Sequence, residues 1–328
     1  MAAATKPTGI RRTRDRSKTK DGRRLNITII GAGRLGTALG RALQQAGHRI
    51  ELVVANHPSH ARRAAALIGV DLLAVSASGL RSKKAARDRL LRSNVILVST
   101  PDDALPRVTQ QLSSEFRRSS RGSDEVRTRV ALHTSGVTSS DVLAPLRSVG
   151  LAVGSFHPLV AVADTAPADA FRGVHVCLEG DPKAARVAKA LVRDLRGHSF
   201  TIDASRKGLY HAAAVMSAGH VVALFDLAIK MLVECGLSPQ KARQVLLPLL
   251  KSTTANLAKK NPAEALTGPF ARGDVDTVAM HLKAISATNI SELEHVYAFL
   301  GRRALKLRAP TSGSQPANRI ARLLKKQM

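Results

Sequence analysis

Residues 26–36 read NITIIGAGRLG, an apolar run that stops at a glycine-rich turn, and the rest of the fold can be read outward from it. Asn26–Ile30 has the uncharged, β-branched composition of a strand buried on both faces. From Leu35 to Ala46 apolar residues recur at helical spacing, and Gly47 follows where a helix C-cap belongs. A strand that turns through Gly-x-Gly-x-x-Gly into a helix is suited to hold a dinucleotide. Gly31 permits the tight turn, Gly33 lets the backbone approach a pyrophosphate, and Gly36 lets the helix lie close on the strand. The anion then rests on the free amides and positive dipole end of the helix that starts near Arg34. Ala32, Arg34 and Leu35 complete this turn, so residues 31–36 together form the expected cradle.

The second strand, Ile50 to Asn56, ends without the acidic residue that usually holds the ribose of NAD; Glu51 lies too early in it. Asn56, Ser59, Arg62 and Arg63 follow instead. A hydroxyl and guanidinium groups suit a 2′-phosphate, so NADP is expected in preference to NAD. The competing reading puts both arginines on a solvated helix face. A third apolar strand, Asn94 to Thr100, runs into Pro101-Asp102-Asp103. In an open α/β sheet the carboxyl ends of the strands face the ligand, which places Ser99, Thr100 and Pro101 beside the cofactor.

Strands and helices continue to alternate through Val130–Leu132, Leu151–Ser155, Val174–Leu178, the helix Ala184–Leu195 and Phe200–Ile202. From Ser205 only helical periodicity remains, over roughly 205–235, 239–260, 274–288 and 290–308. The fold class expected is α/β: a Rossmann doubly wound parallel sheet followed by an all-α C-terminal domain. The expected organisation is a disordered basic tail at 1–24, a nucleotide-binding domain at 25–204, a helical substrate and dimerisation domain at 205–308, and a flexible basic tail with a loose helix at 309–328.

Charge and composition narrow the function classes. The formal net charge is +27, of which the first tail supplies +7 from nine Lys or Arg against two Asp, leaving +20 on the rest. Such a field attracts anions, including a dinucleotide and a small anionic substrate. Aromatic residues make up 3 % and tryptophan is absent, so stacking platforms for single-stranded nucleic acid are few. Nucleic acid is expected at most as a non-specific contact of the basic tail. Cys177 and Cys235 match no metal or redox spacing, which suits a reducing cytoplasm; both read as buried apolar residues. The most apolar stretch, Ala212 to Cys235, is interrupted by His220, Asp226 and Lys230 and reads as a buried helix, not a membrane span. No HxxxH or CxxC spacing supports zinc, and no metal is expected.

Four motifs then occur together: HTSG at 133–136, FHPL at 156–159, KGLYHAA at 207–213, and LTGP at 266–269 followed by Arg272-Gly273-Asp274. With them the sequence resembles, over approximately residues 25–305, the Rossmann-like oxidoreductases that carry a helical C-terminal domain of unknown function. That family is similar to the 6-phosphogluconate and β-hydroxyacid dehydrogenases, ketopantoate reductase, pyrroline-5-carboxylate reductase and prephenate dehydrogenase. The resemblance implies hydride transfer with a nicotinamide cofactor and a homodimer formed through the long apolar helix.

Lys207 and His211 stand four residues apart, so a helix presents both on one face. In β-hydroxyacid dehydrogenases a Lys and an Asn hold this relation, and here His211 takes the place of the Asn. The expected catalytic pair is therefore Lys207, protonating or stabilising the developing oxyanion, with His211. A surface lysine at a helix start and a packed core histidine are the plain alternatives. The expected substrate contacts are His133, Ser135, His157, Tyr210, Arg272 and Asp274. His133 and His157 serve equally well as residues that close turns, and Arg272 and Asp274 as partners of each other. The activity expected is NADP-dependent oxidation or reduction of a small carboxylate-bearing oxo or hydroxy acid, most like ketopantoate reduction. Imine or prephenate chemistry is the second enzyme reading, and a non-catalytic dinucleotide sensor is the reading from another class.

Overall fold

A computed structural model of the chain describes residues 24–69, 73–119, 129–163, 166–167, 169–307 and 315–325. The chain divides into two compact units, Met1–Val215 and Met216–Met328. The basic segment expected as a tail at 1–24 lies, but for Arg24, outside the described residues.

The first unit runs β1 (Asn26–Ile30), α1 (Arg34–Gln45), β2 (Arg49–Ala55), α2 (Pro58–Ile68), β3 (Leu73–Ser76), α3 (Ala77–Ser82), α4 (Lys84–Arg92) and β4 (Val95–Val98). It continues with α5 (Leu105–Ser119), β5 (Val130–His133), α6 (Ala144–Arg147), β6 (Ala152–Pro158), β7 (His175–Gly180), α7 (Pro182–Asp194), β8 (His198–Thr201) and α8 (Lys207–Ser217). The strands form one sheet in the order β3-β2-β1-β4-β5-β6-β7-β8. Alternate side chains of each strand enter opposite cores, which is why the central strands read as unbroken apolar runs. Ile27 and Ile29 of β1 join Leu39 and Leu43 of α1, Ile68 of α2 and Leu191 of α7. Ile30, facing the other way, joins Leu80 of α3, Leu90 of α4 and Leu112 of α5. The sheet order reverses between β1 and β4, so the glycine turn after β1 and Ser99 after β4 open on the same crevice.

The sheet is parallel throughout except for β6 and β7, which pair antiparallel. A parallel neighbour needs a crossover, normally a helix, and no helix lies among the described residues between Pro158 and His175. β6 also runs further than expected, so His157 stands within the strand and not after it.

The second unit is helical: α9 (Gly219–Glu234), α10 (Pro239–Leu257), α11 (Pro262–Ala265), α12 (Pro269–Arg272), α13 (Val275–Ser286), α14 (Leu293–Leu307) and α15 (Gln315–Lys325). Val278 and Leu282 of α13, Ala298 of α14, and Ile320 and Leu324 of α15 are its core. The helix within the expected C-terminal tail is thus packed, its apolar stripe too wide to be left in water.

Three expectations for this region fail: one continuous helix, burial of its apolar part and burial of Cys235. The helix anticipated over 205–235 breaks at Ala218, whose φ of −126° and ψ of −74° leave the helical region just before the poor helix former Gly219. The part up to Val215 packs with the first unit. α9, expected to be buried, has no buried residue, and Cys235 at its end is exposed while Cys177 is buried. Most of its side chains are apolar, and among the described residues they are covered only in part: Val222 is 70 % exposed. The stretch Ala204–Glu234 also holds an 18-residue window long and apolar enough, by length and composition alone, to cross a membrane. Its Asp226 and Lys230 pair with each other at 2.9 Å, one turn apart.

Candidate functional site

The glycines of the first turn have separable physical jobs. Gly31 has φ of +106°, and a side chain there would collide with the carbonyl of Ser99 at the end of β4. A side chain on Gly36 would strike the carbonyl of Gly31, so α1 can lie on β1 only without one. Gly33 is different, because a Cβ there would meet nothing within 4 Å. The chain itself does not need that glycine, whereas a diphosphate crossing the turn would. Gly33 is the N-cap of α1, which has no side-chain cap and no acidic residue in its first turn, as an anion-binding helix end requires.

Beside this turn lies a cavity of about 240 Å³ lined by Gly31, Ala32, Gly33, Asn56, Ser99, Thr100 and Pro101. Its basic lining residues are His60, Arg81 and Arg107, and its acidic one, Glu115, is turned towards Arg118 at 3.6 Å. Thr100 Oγ1 is buried there without a hydrogen-bond partner, the state of a group built to meet a ligand. A neighbouring cavity, over Gly33 and Arg34, is lined by Thr37, His60 and Arg63. These groups fit a dinucleotide. Leu35 lies beneath, against the core. Ser59 and Arg62, expected at the cofactor, line neither cavity, which fits the solvated-face reading of Arg62. His60, Arg81 and Arg107 were missed; the available signal was basic residues in the helices that follow β2, β3 and β4.

The second constellation is built by β5, β6, β7 and α8. The HTSG segment leaves β5, and Thr134 Oγ1 donates to Ser99 Oγ at 3.1 Å, tying it to the cofactor turn. His133 is fully buried, and its Nδ1 accepts from the Ser135 amide at 3.2 Å. It therefore closes the turn, and burial, aided by the charge of Lys207, pushes its pKa down to about 3. Ser135 Oγ accepts from the Thr138 amide at 3.0 Å in the same turn. Gly136 makes room for two imidazoles, since a Cβ on it would lie 2.5 Å from His211 Cδ2 and 2.8 Å from His157 Nε2.

Helix geometry then sets Lys207, Tyr210 and His211 on one face of α8. Tyr210 Oη is 2.6 Å from His157 Nδ1, and the His211 ring centroid is 5.8 Å from that of His157. The pKa of His157 is lowered to about 4, first by burial, then by His211 and Lys207, against the pull of Asp102. Burial raises the Tyr210 hydroxyl and, with Lys207 opposing, the Cys177 thiol. Lys207 turns inward and is 1 % exposed. Its amine donates to Ser155 Oγ at 2.6 Å and lies 4.0 Å from Glu179 Oε2. Burial lowers its pKa, with Glu179 acting the other way.

In the second unit Arg272 and Asp274 lie 3.8 Å apart. The Asp274 carboxylate also caps α13, accepting from the Thr277 amide at 3.1 Å and from its hydroxyl at 2.8 Å. Their mutual pairing is therefore the arrangement present. Among the described residues, no group of three or more His, Cys, Asp or Glu is placed to hold a metal ion.

Residues 12–158 match the Rossmann-like domain, and residues 174–304 match a domain of unknown function, DUF2520. Among solved structures, a Bacteroides fragilis protein described as a candidate NADP oxidoreductase is similar over 86 % of this chain and 98 % of its own, with 22 % identity and a TM-score of 0.68. A Thermotoga maritima protein is similar over 85 % of this chain and 98 % of its own, with 22 % identity and a TM-score of 0.61. Pyrroline carboxylate reductase from Plasmodium falciparum, solved with NADP bound, covers 91 % and 98 %, with 11 % identity and a TM-score of 0.53. At these identities the likeness is one of fold. No curated protein matches the chain.

Proposed function

The chain joins a Rossmann-like domain to a DUF2520 domain, and from that premise we propose that it is an NADP-dependent oxidoreductase of a small carboxylate-bearing oxo or hydroxy acid, in the manner of ketopantoate reduction. The observation that carries the reading is the hydrogen bond of 2.6 Å between Tyr210 and His157, with His157 packed against Gly136 of the turn that Thr134 and Ser99 tie to the dinucleotide cradle. A nicotinamide dinucleotide bound in that cradle supplies or accepts the hydride. Tyr210 occupies Nδ1 and fixes the ring, which leaves Nε2 of His157 to exchange the proton with a substrate oxygen. The imidazole is neutral at pH 7, given its pKa of about 4. It is ready to take a proton from a hydroxy acid; in the reductive direction it donates a hydrogen bond to the carbonyl, and the alkoxide formed takes its proton from water. His211, beside it over Gly136, assists.

Preference for NADP is supported by Asn56 in place of an acid at the end of β2, and by His60, Arg81 and Arg107 around the cavity. The net charge of +27 favours an anionic substrate. The partner we propose is a second copy of the chain, covering the apolar residues that α9 and α10 leave in water, such as Val222 at 70 % and Leu249 at 64 % exposure. Free thiols at Cys177 and Cys235 suit the cytoplasm.

The test is calorimetric titration with NADPH and NADH, followed by turnover with panels of oxo acids, cyclic imines and prephenate. NADPH binding with oxo-acid turnover that His157→Ala lowers about 100-fold is expected. Binding of neither dinucleotide would end the proposal, and turnover only of imines would move it to that chemistry.

A further inference from the structure

Lysine is almost never fully buried without partners, and Lys207, at 1 % exposure, has an unusual set. Its ammonium is bound by Ser155 Oγ at 2.6 Å and faces Glu179 at 4.0 Å. Glu179 in turn accepts from the Ser140 amide at 2.9 Å and from its hydroxyl at 2.6 Å. Ser155 and Glu179 are register partners across β6 and β7, Ser140 opens a short turn after β5, and Lys207 opens α8. One ammonium thereby ties four segments together. A lysine that protonates a bound molecule must point at it, and this one points into the protein. The residues that follow it by three and four positions, Tyr210 and His211, are the ones that meet His157.

We propose that Lys207 is a positioning residue: held by Ser155 and Glu179, its buried ammonium docks the first turn of α8 so that Tyr210 and His211 meet His157, and it supplies the positive charge next to which that imidazole works. This deepens the reading of His157 as the proton-exchanging group and rests on it. The groups facing His157 are His133 on β5, Cys177 on β7 with Glu179 two residues on, Asp102 after β4, and Lys207, Tyr210 and His211 on α8. Lys207 is the cation of this set, and its charge opposes protonation of both His157 and His133. Removing the charge should therefore move the His157 titration upward.

Two measurements on the full chain, with neither cofactor nor substrate, test this. In the wild-type protein, acetylation by acetic anhydride mapped by mass spectrometry should leave Lys207 among the slowest lysines, while Lys84 and Lys230, at 84 % and 57 % side-chain exposure, react first. Modification of Lys207 at their rate would overturn the proposal. In the second measurement, the His157 imidazole resonance is followed against pH. Lys207→Met should raise its midpoint by about one unit, and Lys207→Arg, which keeps the charge, should restore it. An unmoved midpoint, or equal shifts in both variants, overturns the electrostatic role. If the variants fail to fold, the acetylation rate decides. Loss of the oxidoreductase reading would appear separately, as absent NADPH turnover with both of these results intact.

Discussion

Gly33 and Gly31 are two residues apart and should respond oppositely to the same methyl group. Gly33→Ala places a Cβ in open space, so thermal unfolding should be unchanged while NADPH affinity in a calorimetric titration falls at least about tenfold. Gly31→Ala meets a φ of +106° and the Ser99 carbonyl, so it should cost about 2–4 kcal/mol of stability. Equal unfolding curves for the two variants would remove this division of roles. The glycine spacing was legible because the three jobs, a tight turn, room for a ligand and a close helix, fall within six residues of one another. The histidines were not: His133 and His157 occupy similar places in the sequence, yet one is fully buried on a turn amide and the other meets Tyr210. Sequence places both on strand ends, but only the fold decides that one ring closes on the next turn while the other is met by α8, far along the chain. Lys207 shows the same limit, since helical spacing gives its face while Ser155 and Glu179 decide that this face is interior.

At the level of elements, most strands and helices of the first unit follow from apolar runs and their caps. What escaped was the antiparallel entry of β7, which is long-range, and the break at Ala218, a local one that the surrounding apolar run masked. The end of β2 carries the cofactor prediction. Asn56→Asp would put a carboxylate where a 2′-phosphate is expected, and should lower the NADPH over NADH preference by about tenfold, roughly 1.4 kcal/mol, through repulsion and a new bond to the ribose hydroxyl. Arg81→Ala, one element away and lining the same cavity, should weaken NADPH more than NADH. Side-by-side titrations of both variants check this, and an unchanged ratio in each would show that the phosphate lies elsewhere.

For the whole molecule, buried neutral histidines set the acid limit. His133 titrates at about 3 when folded against 6.5 unfolded. As pH falls below 6.5 the unfolded chain therefore takes up a proton that the folded chain refuses. Stability attributable to this group is complete above 6.5 and declines by roughly 1.4 kcal/mol per pH unit down to about 3. His157, at about 4, acts in the same direction. Urea unfolding between pH 7 and 4 should show the loss, and His133→Gln should flatten it. Assembly belongs at this scale too. Val222→Asp, in the uncovered face of α9, should convert a dimer to a monomer in sedimentation, whereas a wild-type monomer would refute the proposed partner.

The antiparallel pairing of β6 and β7 also bears on how the chain avoids misfolding. Opposite Ser155 stands Glu179, with Leu178 and Gly180 on either side. A slip of one residue along β7 would turn the carboxylate to the other face of the sheet and leave the ammonium of Lys207 stranded in the interior, at a penalty of about 3–5 kcal/mol. Apolar side chains such as Val176 and Leu178 would tolerate such a slip far better. The ion pair thus acts as a proofreading contact for strand alignment, because α8 can seat its first residue only on a correctly threaded β6 and β7.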